Sequence, residues 1–204
     1  MNLADFLTDT SNRIPDHQAI LYEGNSITFA EMSRKVDALC RRFSRSGLKP
    51  GDVCIQMMPS SLNWALVYYA LAKMGAVVVP VNFLFRQREL DYIFRDSGAR
   101  AFIGHHDYLN DAVPALNAHP AVAIRIAEGE NMPTGFTQLK DLFDGDGDFP
   151  TYPTKDDDPF LAGRHDPVRS VCRFRPLKSK LWTKMIRMLL LAKSVNSASR
   201  DQRS

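Results

Sequence analysis

The chain has 204 residues, 45% hydrophobic and 24% charged, an ordinary globular composition whose length suits one domain or one domain with an appendage. Its three cysteines, Cys40, Cys54 and Cys172, are odd in number and widely spaced, which excludes a disulfide framework and a paired-cysteine zinc site, so buried reduced thiols are expected. The net charge of +3 conceals an asymmetry: residues 1–163 hold 15 basic against 21 acidic side chains, a net of −6, while residues 164–204 hold 11 against 2, a net of +9.

The opening residues carry an acid at Asp5 and no basic stretch before an apolar run, so they do not resemble a secretory signal, and a cytoplasmic protein is expected. Gln18 to Tyr22 and Ser26 to Thr28 flank Glu23-Gly24-Asn25, the pattern of a β-hairpin. Thr28 stands three residues before Glu31, the spacing of a capping box. From there Met32, Val36, Leu39, Cys40 and Phe43 recur at helical steps, up to a left-handed cap at Gly47. After a turn at Lys49 to Asp52, a buried strand is predicted over 53–58, a helix opened by Pro59-Ser60-Ser61 and closed by Gly75, and an apolar strand at Ala76 to Pro80. The alternation continues with a helix over 86–96, a strand over 99–103, a helix over 108–117, a strand over 122–126 and a short helix from Thr137 to Phe143. Alternating strands and helices require right-handed crossovers, which give an α/β fold: a parallel sheet with flanking helices.

Five stretches carry a family likeness. They are Ile27 to Glu31, Gly47 to Val53, Met58-Pro59-Ser60, Lys73 to Asn82, and Glu89-Leu90 leading to Asp96-Ser97-Gly98-Ala99. In this order they resemble the AMP-forming acyl-CoA synthetases, the superfamily that includes luciferase and the adenylation domains of peptide synthetases, over about residues 3–162. The resemblance implies a partial first subdomain of the adenylate-forming ligase large domain. For the full-length enzyme it implies a two-step reaction: a carboxylic acid, ATP and Mg²⁺ give an acyl-adenylate, and coenzyme A then takes the acyl group. Each matching residue also has a structural role: Gly47, Gly51 and Gly75 serve turns and caps, and Glu31 serves a cap. No residue is therefore assigned a catalytic, cofactor-binding or metal-ligating role.

The resemblance implies that a phosphate-binding loop rich in Thr, Ser and Gly and ending in Pro-Lys-Gly should follow the acidic-proline element Asp156 to Ala162. It does not. Gly163 is followed by Arg164-His165-Asp166 and a basic stretch without that cluster. Arg-His-Asp is written CGN-CAY-GAY, and reading one nucleotide later gives GNC-AYG-AYN, which can encode Gly-Thr-Thr. The expectation is a domain over 1–163 and an out-of-frame tail over 164–204, in a truncated ligase that binds no cofactor and is inactive alone. A split enzyme completed by a downstream chain is a second reading.

The tail supplies a third, a binding module. Residues 180–193 would form a basic helix with Trp182, Met185, Ile186 and Leu189 on one side, suited to an anionic membrane surface or, through its basic groups, to nucleic acid, although basic charge alone is weak support for either. Its longest apolar run, Met188 to Ala192, is far short of the roughly 20 residues that cross a bilayer. Asp144, Asp146 and Asp148 imitate a calcium loop, but Phe149 and Lys155 stand where glycine and glutamate are needed, so a solvated acidic loop is expected. His105 and His106 follow a predicted strand with no nearby Cys or third His, and surface histidines are expected there.

Overall fold

The computed structural model describes residues 3–145, 147–154, 159–162 and 171–173. The first half runs α1 (Leu3–Arg13), β1 (Gln18–Tyr22), β2 (Asn25–Thr28), α2 (Phe29–Arg45), β3 (Val53–Met57), α3 (Leu62–Met74) and β4 (Val77–Pro80). The second runs α4 (Gln87–Ser97), β5 (Ala101–His105), α5 (Leu109–Ala118), β6 (Ile124–Glu128), β7 (Thr137–Gln138), β8 (Pro159–Ala162) and β9 (Val171–Arg173).

Local signals in the sequence set most of these boundaries. Glu23 and Gly24 both take positive φ, the two-residue turn whose twist suits a hairpin, and β1 and β2 pair antiparallel. The Thr28 N–H donates to Glu31 Oε2 at 2.8 Å while the Glu31 N–H donates to Thr28 Oγ1 at 3.2 Å, the reciprocal box that starts α2 and is worth about 1 kcal/mol. At the other end, Gly47 takes φ +92°, and the N–H groups of Gly47 and Leu48 close back onto the carbonyls of Ser44 and Phe43. Gly75 ends α3 in the same way, with φ +72° and bonds from Gly75 and Ala76 to Ala72 and Leu71. Ser61 starts that helix, its Oγ accepting from the Trp64 N–H at 3.0 Å.

The main sheet has the order β7-β6-β5-β3-β4-β8-β9, parallel throughout except for β9, which lies antiparallel to β8. Helices cover both faces, as a parallel sheet requires. On one face α1, α2 and α3 bury Leu7, Leu39, Phe43, Leu66 and Leu71 against Cys54, Val78 and Ile103. On the other, Leu90 and Phe94 of α4 and Ala112 and Leu116 of α5 close over Ile55, Met57 and Phe102. Each fully buried Leu or Phe contributes about 1.5–3 kcal/mol of hydrophobic stabilisation.

Several expectations need correction. The predicted helix over 137–143 is instead the two-residue strand β7 followed by a 3-10 turn at Leu139–Leu142, whose buried Leu139 and Leu142 supply the apolar signal. Strands β5 and β6 begin two residues later than predicted, because left-handed Gly98 and the turn at 119–123 must first bring the chain back to the sheet. Helix α1 is an addition. It has few apolar residues, yet Ala4 and Leu7 are buried. Asp146, the acidic run at 156–158 and the basic helix at 180–193 lie outside the described residues.

Candidate functional site

In an open parallel sheet, ligands bind beyond the carboxyl ends of strands where successive crossovers part to opposite faces. Here that point falls between neighbouring β3 and β5. The chain leaves β3 for α3 on one face and leaves β5 for α5 on the other. The exits of β3, β5 and β6 carry Met58-Pro59-Ser60, His105-His106-Asp107 and Glu128-Gly129 respectively.

Glu128 is the register partner of His105 across the β5–β6 ladder. Asn63, in the first turn of α3, donates from Nδ2 to Glu128 Oε1 at 2.6 Å, tying the helix to the strand end. The other carboxylate oxygen, Oε2, is buried and has no hydrogen-bond partner among the described residues. His105 Nδ1 lies 3.4 Å from Asp107 Oδ2, and His106 Nε2 lies 3.0 Å from Asp107 Oδ1. The two imidazole rings stand 4.6 Å apart, and the donor atoms of all three residues lie within 4.8 Å of one another. His106 packs on Gly129, where a Cβ would come within 1.9 Å of Nδ1; that close approach, at φ +118°, requires glycine. The half-exposed side chain of His106 agrees with the expected surface position, whereas that of His105 is only 19% exposed.

A triphosphate would need cations and N–H donors. The described ends of β5 and β6 present two imidazoles and two carboxylates, a set whose chemistry suits a cation rather than a phosphate.

The stretches that carry the family likeness hold the framework. Glu31 caps α2, Gly75 admits the Tyr152 ring, which would stand 2.3 Å from a Cβ at that position, and Tyr152 N–H donates to the Lys73 carbonyl at 2.8 Å. Lys73 itself forms an ion pair with Asp37 between α3 and α2, and both side chains are 6% exposed. Sequence reading missed this pair, although its signal is present: Lys73 is the only charge in α3, and Asp37 sits beside the apolar stripe of α2. Cys40 and Cys54 are buried and free, as expected, and burial pushes both thiols well above the usual range. The side chain of Cys172 lies outside the described residues. Arg41 donates to the Gly145 carbonyl at 2.7 Å, holding the exposed loop that carries Asp144 and Asp148.

An open groove along α4 is lined by Arg86, Arg88, Asp91, Tyr92, Arg95 and Asp111. Its cations are already engaged in part: Arg86 pairs with Asp111 at 2.8 Å, and Arg95 sits 6.0 Å from the Tyr92 ring centre. No helix among the described residues is long and apolar enough to cross a membrane.

Comparison with known proteins places residues 7–161 in the sequence model for AMP-binding enzymes. The chain is 34% identical over 116 residues to a feruloyl-CoA synthase of an Amycolatopsis species, covering 57% of this chain and 23% of that protein. It is 29% identical over 124 residues to a mitochondrial medium-chain acyl-CoA ligase of Mus musculus, covering 56% and 20%. Among solved structures, an anthranilate CoA ligase in complex with anthranoyl-AMP superposes with a TM-score of 0.74 at 20% identity, covering 80% of this chain and 32% of that one. An acetoacetyl-CoA synthetase from Streptomyces lividans gives 0.74 at 21% identity, covering 79% and 28%. The chain thus spans about a fifth to a quarter of the length of these curated relatives.

Proposed function

The chain belongs to the AMP-binding enzyme family, and from that premise we propose that it is the opening part of an acid-CoA ligase whose own residues do not complete the catalytic machinery. The parent reaction joins a carboxylic acid to ATP as an acyl-adenylate with release of pyrophosphate, then transfers the acyl group to coenzyme A, with Mg²⁺ offsetting phosphate charge. Relatives named for feruloyl, medium-chain and anthranilate substrates support an acid-CoA ligase of this general kind. They differ too much in substrate to select one acid, and fatty acid metabolism is one setting among several.

One observation carries this reading: the family likeness runs to residue 161, and the residues after it contain no cluster of Thr, Ser and Gly ending in Pro-Lys-Gly. Without a flexible backbone cradle and its lysine, the chain lacks the protein's own share of the groups that offset the charge gathered when a carboxylate approaches a triphosphate. On this reading, residues 1–163 are ligase sequence and 164–204 are out-of-frame translation, in keeping with their opposite net charges of −6 and +9. The setting is the cytoplasm, and the acid, ATP and coenzyme A meet only in a complete enzyme.

The purified 204-residue chain, mixed with ATP, Mg²⁺ and a panel of carboxylic acids, is expected to release no pyrophosphate above background. Release that depends on the acid refutes the proposal. Reading the gene across the Gly163 codon is the companion test, and the absence of ligase sequence in either adjacent frame downstream refutes the frameshift. Activity on adding a separately expressed downstream chain would instead establish a split enzyme.

A further inference from the structure

We infer that His105, His106 and Asp107, beside Glu128 of the neighbouring strand, form a site for a divalent transition cation of the zinc class. It is distinct from the Mg²⁺ of nucleotide chemistry and does not depend on whether this chain activates an acid.

Tetrahedral zinc with bonds of about 2.0–2.1 Å sets its ligand atoms roughly 3.3 Å apart. The nearest nitrogen–oxygen separations are of that order, at 3.4 Å from His105 Nδ1 to Asp107 Oδ2 and 3.0 Å from His106 Nε2 to Asp107 Oδ1, and one donor atom from each of the three residues lies within 4.8 Å of the others, a spread that a bound ion would draw in. Glu128, in register with His105, keeps one oxygen on Asn63 and leaves a buried oxygen without a partner. His106 Nδ1 is also buried and without a partner, against Gly129, so the polar chemistry of that ring is expressed through Nε2.

His105 Nδ1 lies 3.4 Å from both the backbone nitrogen and a carboxylate oxygen of Asp107, so this ring nitrogen faces Asp107. Two imidazoles with a carboxylate select zinc, cobalt, nickel or copper over magnesium or calcium, which prefer oxygen ligands. The position, at the carboxyl end of the sheet where the crossovers diverge, is where such folds bind ligands.

The test is a Co²⁺ titration of the full chain, carrying Cys172→Ser so that this thiol cannot compete, read by visible absorption and followed by Zn²⁺ displacement. The expected result is one equivalent bound with the intense bands of a four-coordinate ion. His105→Ala/His106→Ala should weaken binding by about a hundredfold or more and Glu128→Gln by about tenfold. His17→Ala/His119→Ala/His165→Ala should leave it unchanged. Failure to saturate at millimolar cobalt, or equal binding by the His105/His106 variant, overturns the site. A second measurement needs no ligand variant. Zn²⁺ should protect His105 and His106 of the otherwise unaltered chain from diethyl pyrocarbonate while His17 and His119 still react. Equal labelling with and without Zn²⁺ overturns the inference as well.

Discussion

Removing one member of the Asp37–Lys73 pair should cost far more than removing both. The two side chains are each 6% exposed and join α2 to α3, so Asp37→Ala leaves an ammonium buried without its counter-ion. Stranding a charge in this way costs about 3–5 kcal/mol, whereas replacing a buried pair with apolar groups of similar volume is near neutral or better. With a urea m-value of about 2 kcal/mol/M, taken from the range for small domains, a loss of about 4 kcal/mol lowers the unfolding midpoint by roughly 2 M. Asp37→Leu/Lys73→Met should return the midpoint to within about 0.5 M of the parent, since about 1 kcal/mol is then the expected residue. Equilibrium urea unfolding of the full chain, followed by far-ultraviolet circular dichroism, measures all three proteins. A shift below about 0.5 M for Asp37→Ala, or a double variant as weak as the single one, would refute the reasoning that burial rather than attraction sets the cost.

Two further outcomes follow from the packing. Gly75→Ala meets both a left-handed backbone at φ +72° and the Tyr152 ring at 2.3 Å, so the chain should lose more than the roughly 1 kcal/mol of a simple helix-cap change, and a urea midpoint within error of the parent would contradict that contact. Burial raises the Cys40 and Cys54 thiols above their ordinary value, so the folded state favours the protonated form. The associated stability is fully present below the unfolded thiol range of about 8.5 and declines as pH rises through it, because only the unfolded chain then gives up those protons. Unfolding midpoints measured from pH 7 to 10 should fall more steeply for the parent than for Cys40→Ala/Cys54→Ala, and identical slopes would remove the thiols from the account.

Local chemistry made most of the framework legible. The Thr28 and Glu31 spacing, the glycines at 47 and 75 and the β-branched run at Val77 to Val79 each specify a boundary through neighbours a few residues away, and each stands where expected. Helix α1 was less legible because its support is distant: Ala4 and Leu7 are covered by α2 and α3, not by anything in their own stretch. The 139–142 turn presents the same apolar residues as a helix, and only its position beside β7 and α2 shortens it. At the carboxyl edge, adjacency in sequence placed His105 and His106 together, but the alignment of Glu128 with His105 arises from strand register between segments 23 residues apart. The Asp37–Lys73 pair spans a longer gap, 36 residues, between helices.

The face covered by α1, α2 and α3 gathers residues as far apart as Leu7 and Leu142 into one apolar cluster. During synthesis at about 5–20 residues per second, the first of these waits on the order of ten seconds or more for the last. The amphipathic α2, complete and capped long before its sheet exists, meanwhile offers Val36, Leu39 and Phe43 to whatever is nearby. Nascent-chain yield should therefore depend on holdase chaperones at the ribosome exit, in proportion to how long that helix travels without its sheet.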